Sequence, residues 1–347
     1  MSETKRISGG WRAFSLAKES AYGTPATANS SMNFEGPPSD VAPNEALTDE
    51  TEVTGYVEAT KREILNWNLE GRHKQRALPH NIAFFAALVL GKATTDQPDA
   101  VNDPAVYRHW IERDIAGVAL PSVTMVEFDG VAQKRYAGIF GKSLKLQGRR
   151  GKFLEMEAVF GGMGKEETSA IARPASATES YLRYGDVEFV RGGALSGTVS
   201  AGTLAATGGT SFKAVLRSFE YSVGNGAEPI YQMGDNSGFV SRVERGNRWS
   251  QGLGAEFEMT DDAHKTALRD GAEYVLSIPI VGSAISGGSG NLKYAVELIF
   301  PKAVYKEARK DRDGDVAIVK AEFQVLEDPA YGSAIVKIVN KQTGYLV

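Results

Sequence analysis

The sequence predicts a mainly β protein made of two similar units, each carrying one α-helix. Three observations carry that expectation. Apolar residues recur at every second position, two long stretches look like copies of one phrase, and a tryptophan-led strand and a helix precede each copy. Leu154, Met156, Ala158 and Phe160 alternate with Glu155 and Glu157, and Val319, Ala321, Phe323 and Val325 alternate with Lys320, Glu322 and Gln324. Phe219, Tyr221 and Val223 form a third such strand. A period of two gives each strand one buried and one wet face, as in antiparallel sheets or barrels. The 38 glycines among 347 residues supply turns between the strands.

The duplicated phrase is GIFGKSLKLQGRRGKFLEMEAVF (138–160) and LIFPKAVYKEARKDRDGDVAIVKAEF (298–323). Each copy has Ile-Phe, a lysine two residues later, a basic middle and an alternating run closing on Ala-x-Phe. Upstream, WNLEGRHKQRALPHNIAFFAALVLG from Trp67 parallels WSQGLGAEFEMTDDAHKTALRDG from Trp249. In both, tryptophan opens a strand and a helix follows. Pro79 suits the first turn of the first helix. Thr260, Asp261 and Asp262 can cap the second, which stops at Gly271. The expected division is an N-terminal arm and acidic loop (1–58), a first β unit (59–170), a connector (171–211) and a second β unit (212–347). GGALSGTVSAGTLAATGGT (192–210) is nearly all small residues and reads as a loop or flexible connection.

Composition narrows the function. With 42% hydrophobic and 24% charged residues the chain can bury real cores, and a net charge of −4 argues against general coating of nucleic acid. Cysteine is absent, which removes disulfides, thiolate metal sites and cysteine nucleophiles. The polar start MSETKRISGG has no apolar signal segment, so the expectation is cytosolic synthesis. The run IAFFAALVL (82–90) is about half the length a bilayer span needs and reads as a buried helix.

Catalytic constellations do not emerge. The four histidines, His73, His80, His109 and His264, show no ligand spacing and read as structural residues. FGKS at 140–143 is like the end of a phosphate loop, but Tyr136 stands where that loop needs glycine. DRDGD at 311–315 has Val316 where a calcium loop needs glycine, and Asp-Gly is a hairpin-turn dipeptide. No cofactor, metal ligand or catalytic residue is therefore assigned. What remains is charge. Lys142, Lys145, Arg149, Arg150 and Lys152 lie together without an acid, and Lys302, Lys306, Arg309, Lys310 and Arg312 recur in the second copy. The segment 35–58, with seven acids and no Lys or Arg, is the natural counterpart. Solvated strand ends and a docking surface are both compatible with this pattern.

Three stretches resemble the tail tube proteins of long-tailed bacteriophages in their larger two-part form. They are AKESAYGTPATA from Ala17, RYAGIFGKSLKLQGRRGKFLEMEAVFGGMG (135–164), and NLKYAVELIFPKAVYKEARKDRDGDVAIVKAEFQVLEDPAYGSAIVKIVN (291–340). The segments 92–121 and 192–210 match poorly. The resemblance implies a tail-tube-type β-barrel or sandwich with a helix packed on its side, in each of two units. It further implies a non-enzymatic virion protein, made in the host bacterial cytoplasm, that self-assembles into stacked rings for DNA ejection. The implied partners are further copies, the tape measure protein, the tail terminator, distal tail proteins and double-stranded DNA in passage, with no membrane. Ring-stacking candidates are Glu45, Asp49, Glu50, Glu52, Arg149, Arg150 and Lys152. Lumen candidates are Glu155, Glu157, Lys320, Glu322 and Gln324, whose acid-leaning character would repel phosphates.

Duplication has a consequence for ring size. Related single-copy proteins close rings with six subunits. If each repeat supplies about four strands, three chains supply about 24, with 59–164 and 212–326 in equivalent positions. The expectation is a homotrimeric ring of pseudo-sixfold symmetry, against a true hexamer. The alternatives are a baseplate hub or tube protein of a phage-derived injection system and, from another class, a carbohydrate-active β-domain. The latter usually displays clustered exposed aromatics, and no aromatic-rich loop stands out here.

Overall fold

The computed structural model describes residues 13–26, 33–35, 40–47, 63–114, 120–128, 133–168, 179–235, 237–245, 249–286 and 292–346. The first half runs β1 (Ala13–Lys18), β2 (Asn33–Glu35), β3 (Asp40–Leu47), β4 (Glu63–Arg76), α1 (Pro79–Leu90) and β5 (Gly91–Asp96). It continues with β6 (Tyr107–Arg113), β7 (Val123–Phe128), β8 (Gln133–Arg149), β9 (Glu155–Gly162) and β10 (Glu166–Thr168). Short strands follow: β11 (Val190–Arg191), β12 (Ala194–Ser196), β13 (Ala205–Thr207) and β14 (Thr210–Ser211). Then come β15 (Leu216–Gly224), β16 (Glu228–Ile230), β17 (Arg242–Glu244), β18 (Ser250–Glu258), α2 (Ala263–Asp270) and β19 (Tyr274–Ala284). The chain closes with β20 (Lys293–Asp313), β21 (Val316–Leu326) and β22 (Ile335–Asn340). Strand dominates, as the period-two pattern predicts.

Two long strands organise the molecule. The first half of β8 pairs with β7 and β10, and its second half pairs with β9 and β15. The first half of β20 likewise pairs with β19 and β22, and its second half pairs with β21. Each long strand thus passes from a flanking sheet into one shared main sheet. The main sheet is antiparallel throughout, in the order β3-β4-β9-β8-β15-β18-β21-β20. The flanking strips are β2-β1-β7-β8-β10 and β14-β11-β19-β20-β22-β6-β5. Among the described residues, no hydrogen bonds join the two ends of the main sheet. The units are sandwich-like, not closed barrels.

The ladders reveal the duplication in more detail than the phrase does. Both long strands carry two bulges in the same order. In β8 the register shifts after Tyr136, opposite β7, and between Gly141 and Ser143, opposite β9. In β20 it shifts after Phe300, opposite β19, and between Tyr305 and Glu307, opposite β21. Matching the bulges sets Lys142 against Lys306, whereas the Ile-Phe-x-Lys phrase sets it against Lys302. The phrase is therefore out of register by four residues at its start, because position in a sheet is set by bulges and pairing and not by identity. Its Ala-x-Phe ending is in register. Gly71 lies opposite Phe160 and Leu253 opposite Phe323, so Trp67 and Trp249 fall at matching positions.

The helices differ for a physical reason. All twelve residues of α1 are buried. It packs on β8 and also under β6, β22 and β5, so a helix apolar all round is what the site requires. Pro79 occupies its first position, and Gly91 caps its end with φ of 96°. The helix α2 is amphipathic, burying only His264 and Ala267 along its length. Its N-cap residue is Asp262, while Asp261 Oδ1 accepts from the Ala263 N–H at 2.9 Å. Thr260 is not the cap. Gly271 closes the helix with φ of 60°.

Both poorly matching segments carry strands among their described residues. Residues 92–121 include most of β5 and all of β6, and β6 extends a flanking sheet by pairing with β22. Residues 192–210 contain the β12–β13 hairpin, and Leu195, Val199 and Leu204 pack on the cluster of Trp110, Ile299 and Ile335. Three spaced apolar side chains suffice to anchor a stretch that is otherwise small residues. The Asp-Gly expectation holds at the β20–β21 turn, where Asp313 pairs with Val316 and Gly314 adopts φ of 60°.

Candidate functional site

The candidate site is the wet face of the main sheet together with its two ends. Its inward face is apolar, with Leu144, Leu146, Met156, Phe160, Phe219, Tyr221, Phe257, Val319 and Phe323 all buried. Alternation then forces the intervening residues onto the opposite face. One row can be followed across neighbouring strands by register: Arg76, Glu155, Gln147, Glu220, Gly254, Glu322 and Glu307. Residues predicted from β9 and β21 of the two units therefore share a single surface. Lys320, Glu322 and Gln324 line a groove of about 700 Å³ on it, with Gln147, Arg149 and Glu220.

Cross-strand ion pairs tile this face. Arg72 meets Glu157 at 3.1 Å, and Lys74 meets Glu155 at 3.2 Å. Lys145 meets Glu220 at 2.8 Å, Lys306 meets Glu322 at 3.3 Å, and Lys320 meets Asp311 at 2.6 Å. A hydrogen bond from Gln147, then one from Lys74, holds the Glu155 carboxyl below its ordinary range. The Asp311 hydrogen bond raises the Lys320 ammonium in the same cooperative way. The acids of the row are thus largely matched by cations in adjacent rows. The surface is acid-leaning but interspersed, without a broad field of one sign.

The stacking candidates separate. Arg149 and Lys152 are exposed around the β8–β9 turn. Arg150, beside them, ion-pairs with Glu258 and donates to the Leu216 carbonyl at 3.3 Å, fastening the turn to β15 and β18. Glu45 lies within β3. Asp49, Glu50 and Glu52 lie outside the described residues.

The ends of the sheet were not legible in the sequence. β3 pairs with β4, and the second half of β20 pairs with β21. Among the described residues, neither has a strand on its other side along Asp40–Ala42 or Glu307–Asp313. The join between the units was equally hidden. Ser143 to Arg149 of β8 pair with Gly224 to Ser218 of β15, making one continuous sheet from two repeats. Buried Asn225 locks this join, donating from Nδ2 to the carbonyls of Val89 at 3.1 Å and Gly141 at 2.9 Å. A lone asparagine after a strand gives no sign of that role.

The histidines are core residues. His73 stacks on Phe85, His80 Nδ1 lies 2.9 Å from the Tyr345 hydroxyl, and His264 Nδ1 lies 2.8 Å from that of Tyr305. His109 Nε2 lies 3.0 Å from Asn340 Oδ1. Burial lowers each of the four from 6.5 to about 4. Half-buried Glu179 accepts from the His80 backbone N–H at 2.7 Å, and desolvation raises its carboxyl to about 7. Among the described residues, no group of three or more His, Asp or Glu side chains is placed to hold a metal.

These features define a structural class: a duplicated β protein whose two repeats share one sheet, wet on one face and, among the described residues, open at both ends. A model of the family described as phage tail tube protein matches residues 12–312, and the chain belongs to that family. It is a structural component of the phage tail. No curated protein matches the chain.

Proposed function

We propose that the protein self-assembles into trimeric rings of pseudo-sixfold symmetry, and that stacked rings form the tube through which DNA is ejected. The observation that carries this reading is the main sheet itself, to which each repeat contributes four strands. The first gives β3, β4, β9 and β8, and the second gives β15, β18, β21 and β20. Three copies supply about 24 strands. At about 4.8 Å per strand the circumference is about 115 Å before tilt widens it, a bore of several nanometres. The ion-paired face lines the lumen, with Glu155, Glu157, Lys320, Glu322 and Gln324 on it. A surface of matched charges offers phosphates no continuous cationic track, so DNA slides. The tape measure protein, the tail terminator and distal tail proteins complete the tail, and the chain is made in the host bacterial cytoplasm.

Electron microscopy of the purified full chain at high concentration tests the reading. Rings or tubes of uniform width with three chains per turn are expected. Six identical chains per ring would remove the trimer, and a protein that stays monomeric at millimolar concentration would remove the tube.

Charge complementarity between successive rings, joining Arg149 and Lys152 to the acidic Glu45, Asp49, Glu50 and Glu52, is the second part of the proposal. Single exposed pairs contribute roughly 0–1 kcal/mol, so only multiple reversals become visible. Changing Arg149 and Lys152 together to Glu, with Arg150 kept for its bond to Glu258, should slow tube growth and alter its salt dependence. Unchanged polymerisation across a salt series would leave these residues as solvated turn charges.

A further inference from the structure

The join between the two repeats inside one chain gives a pattern against which the sheet's two ends can be compared. The second half of β8 lies between β9 and β15. Its counterpart, the second half of β20, has β21 on one side and, among the described residues, no strand on the other. Bulge matching sets Ser143, Leu144 and Lys145 against Glu307, Ala308 and Arg309. The missing neighbour should correspond to β15, which pairs antiparallel with β18 as β3 pairs with β4. With Trp67 matched to Trp249, Ser222, Val223 and Gly224 correspond to Asp40, Val41 and Ala42. These lie at the other end of the same sheet, where, among the described residues, β3 likewise has no strand on its outer side.

We propose that β20 of one copy pairs antiparallel with β3 of the next, with Glu307 opposite Ala42, Ala308 opposite Val41 and Arg309 opposite Asp40. The register is that of the internal pairs Ser143 with Gly224, Leu144 with Val223 and Lys145 with Ser222. The partner is a second copy of this chain, so the inference rests on the assembly reading and supplies its contact surface.

Four features of the two edges agree with this. Ala308 is buried like its counterpart Leu144, so the strand already presents the correct face to the core. Lys306, Glu307, Arg309, Lys310 and Asp311 charge the edge, which discourages pairing with indiscriminate strands. The register places cationic Arg309 opposite acidic Asp40, a favourable cross-strand combination. Pro43, which has no backbone N–H, falls opposite the bulge residue Lys306 and ends the ladder there.

The absence of cysteine makes the test clean. Directly opposed residues in an antiparallel pair have Cα atoms about 4.5–5.5 Å apart, inside the disulfide range of about 4.4–6.8 Å. Full-length protein carrying Arg309→Cys and Asp40→Cys is assembled under reducing conditions, oxidised with diamide and run on a non-reducing gel. Most of the monomer band should convert to a ladder ending at three chains, and reductant should collapse it. The pair Glu307→Cys with Ala42→Cys should do the same while keeping Arg309 and Asp40. Arg309→Cys with Ala42→Cys, two positions out of register, should leave most chains uncrosslinked. Lys145→Cys with Ser222→Cys should close within the chain and give no ladder, which calibrates the chemistry.

Rings visible by microscopy, with the internal pair closing but neither in-register pair forming a ladder, would overturn the junction and leave the tube reading standing. An equally strong ladder from the out-of-register pair would overturn the register. A ladder running to six chains would support the junction and remove the trimer. Absence of any ring from the unaltered protein would instead remove the tube reading itself.

Discussion

Acidification from pH 7 to pH 4 should unfold the unassembled chain, with most of the loss between pH 6.5 and 4. The cause is the four buried histidines, each lowered from 6.5 to about 4 by desolvation. A group whose folded value lies below its unfolded value binds fewer protons in the fold across that window. The stability it carries is fully present above about pH 6.5, falls as the pH drops, and is gone once the pH passes below about 4. For one histidine the gap corresponds to roughly 3 kcal/mol. His80 and His109 feel each other's charge, so the contributions do not simply add. Even half of the combined figure is comparable with the ~5–15 kcal/mol that holds a domain folded.

Glu179 acts with the opposite sign. Its folded value of about 7 lies above the ordinary 4.5, so its contribution is present below pH 4.5 and is lost as the pH rises through 7. Glu179→Gln should therefore raise stability at pH 8 and leave the acid limb largely in place. Urea midpoints measured from pH 8 to pH 4 check both statements. A midpoint that stays flat between pH 7 and pH 4.5 would contradict the histidine account.

Asn225→Ala should destabilise the protein by about 2–4 kcal/mol, a large effect for one small side chain. Asn225 is fully buried, and its two Nδ2 bonds reach the last turn of α1 at Val89 and the β8 bulge at Gly141. Its Oδ1 accepts from the Ala227 N–H at 3.0 Å, and its own N–H donates to the Lys142 carbonyl at 3.1 Å. Alanine keeps only the last of these. Two buried carbonyls lose a donor and a small void opens where the two repeats meet. Asn225→Asp should be worse at neutral pH, because it turns acceptor oxygens toward those carbonyls and buries a charge. Urea midpoints should fall with unchanged slopes. Losses below about 1 kcal/mol for both variants would show that the join is held by its backbone ladder alone.

Much of the architecture was legible because it depends on neighbours close in sequence. Which face of β9 or β21 is wet follows from alternation, so Glu155, Glu157, Lys320 and Glu322 could be placed on a polar surface before any fold was known. The stop at Gly271, Pro79 at a helix start and the Asp-Gly turn at 313–314 are likewise local backbone preferences. Duplication showed through Trp67 and Trp249 and the shared Ala-x-Phe, since matching sites keep matching packing demands.

The remaining features rest on contacts between residues far apart in the chain, and these leave no local mark. The bulges fall at corresponding places in β8 and β20, and against them the Ile-Phe-x-Lys match at Ile139 and Ile299 is four positions out, because identity over a few residues does not track position in a ladder. Burial of α1 beneath β6 and β22 turned part of 92–121, a segment that matches the resemblance poorly, into an extension of a sheet. The sequence by itself determined the strands, their wet faces, the two helices and the presence of two repeats. Only the tertiary structure decided that β8 of one repeat pairs with β15 of the other and that, among the described residues, the ends of the resulting sheet have no further strand. Hydrogen bonds between strands are made by backbone groups that every residue carries, so the choice of neighbour is settled by how the two repeats pack and not by the residues that touch.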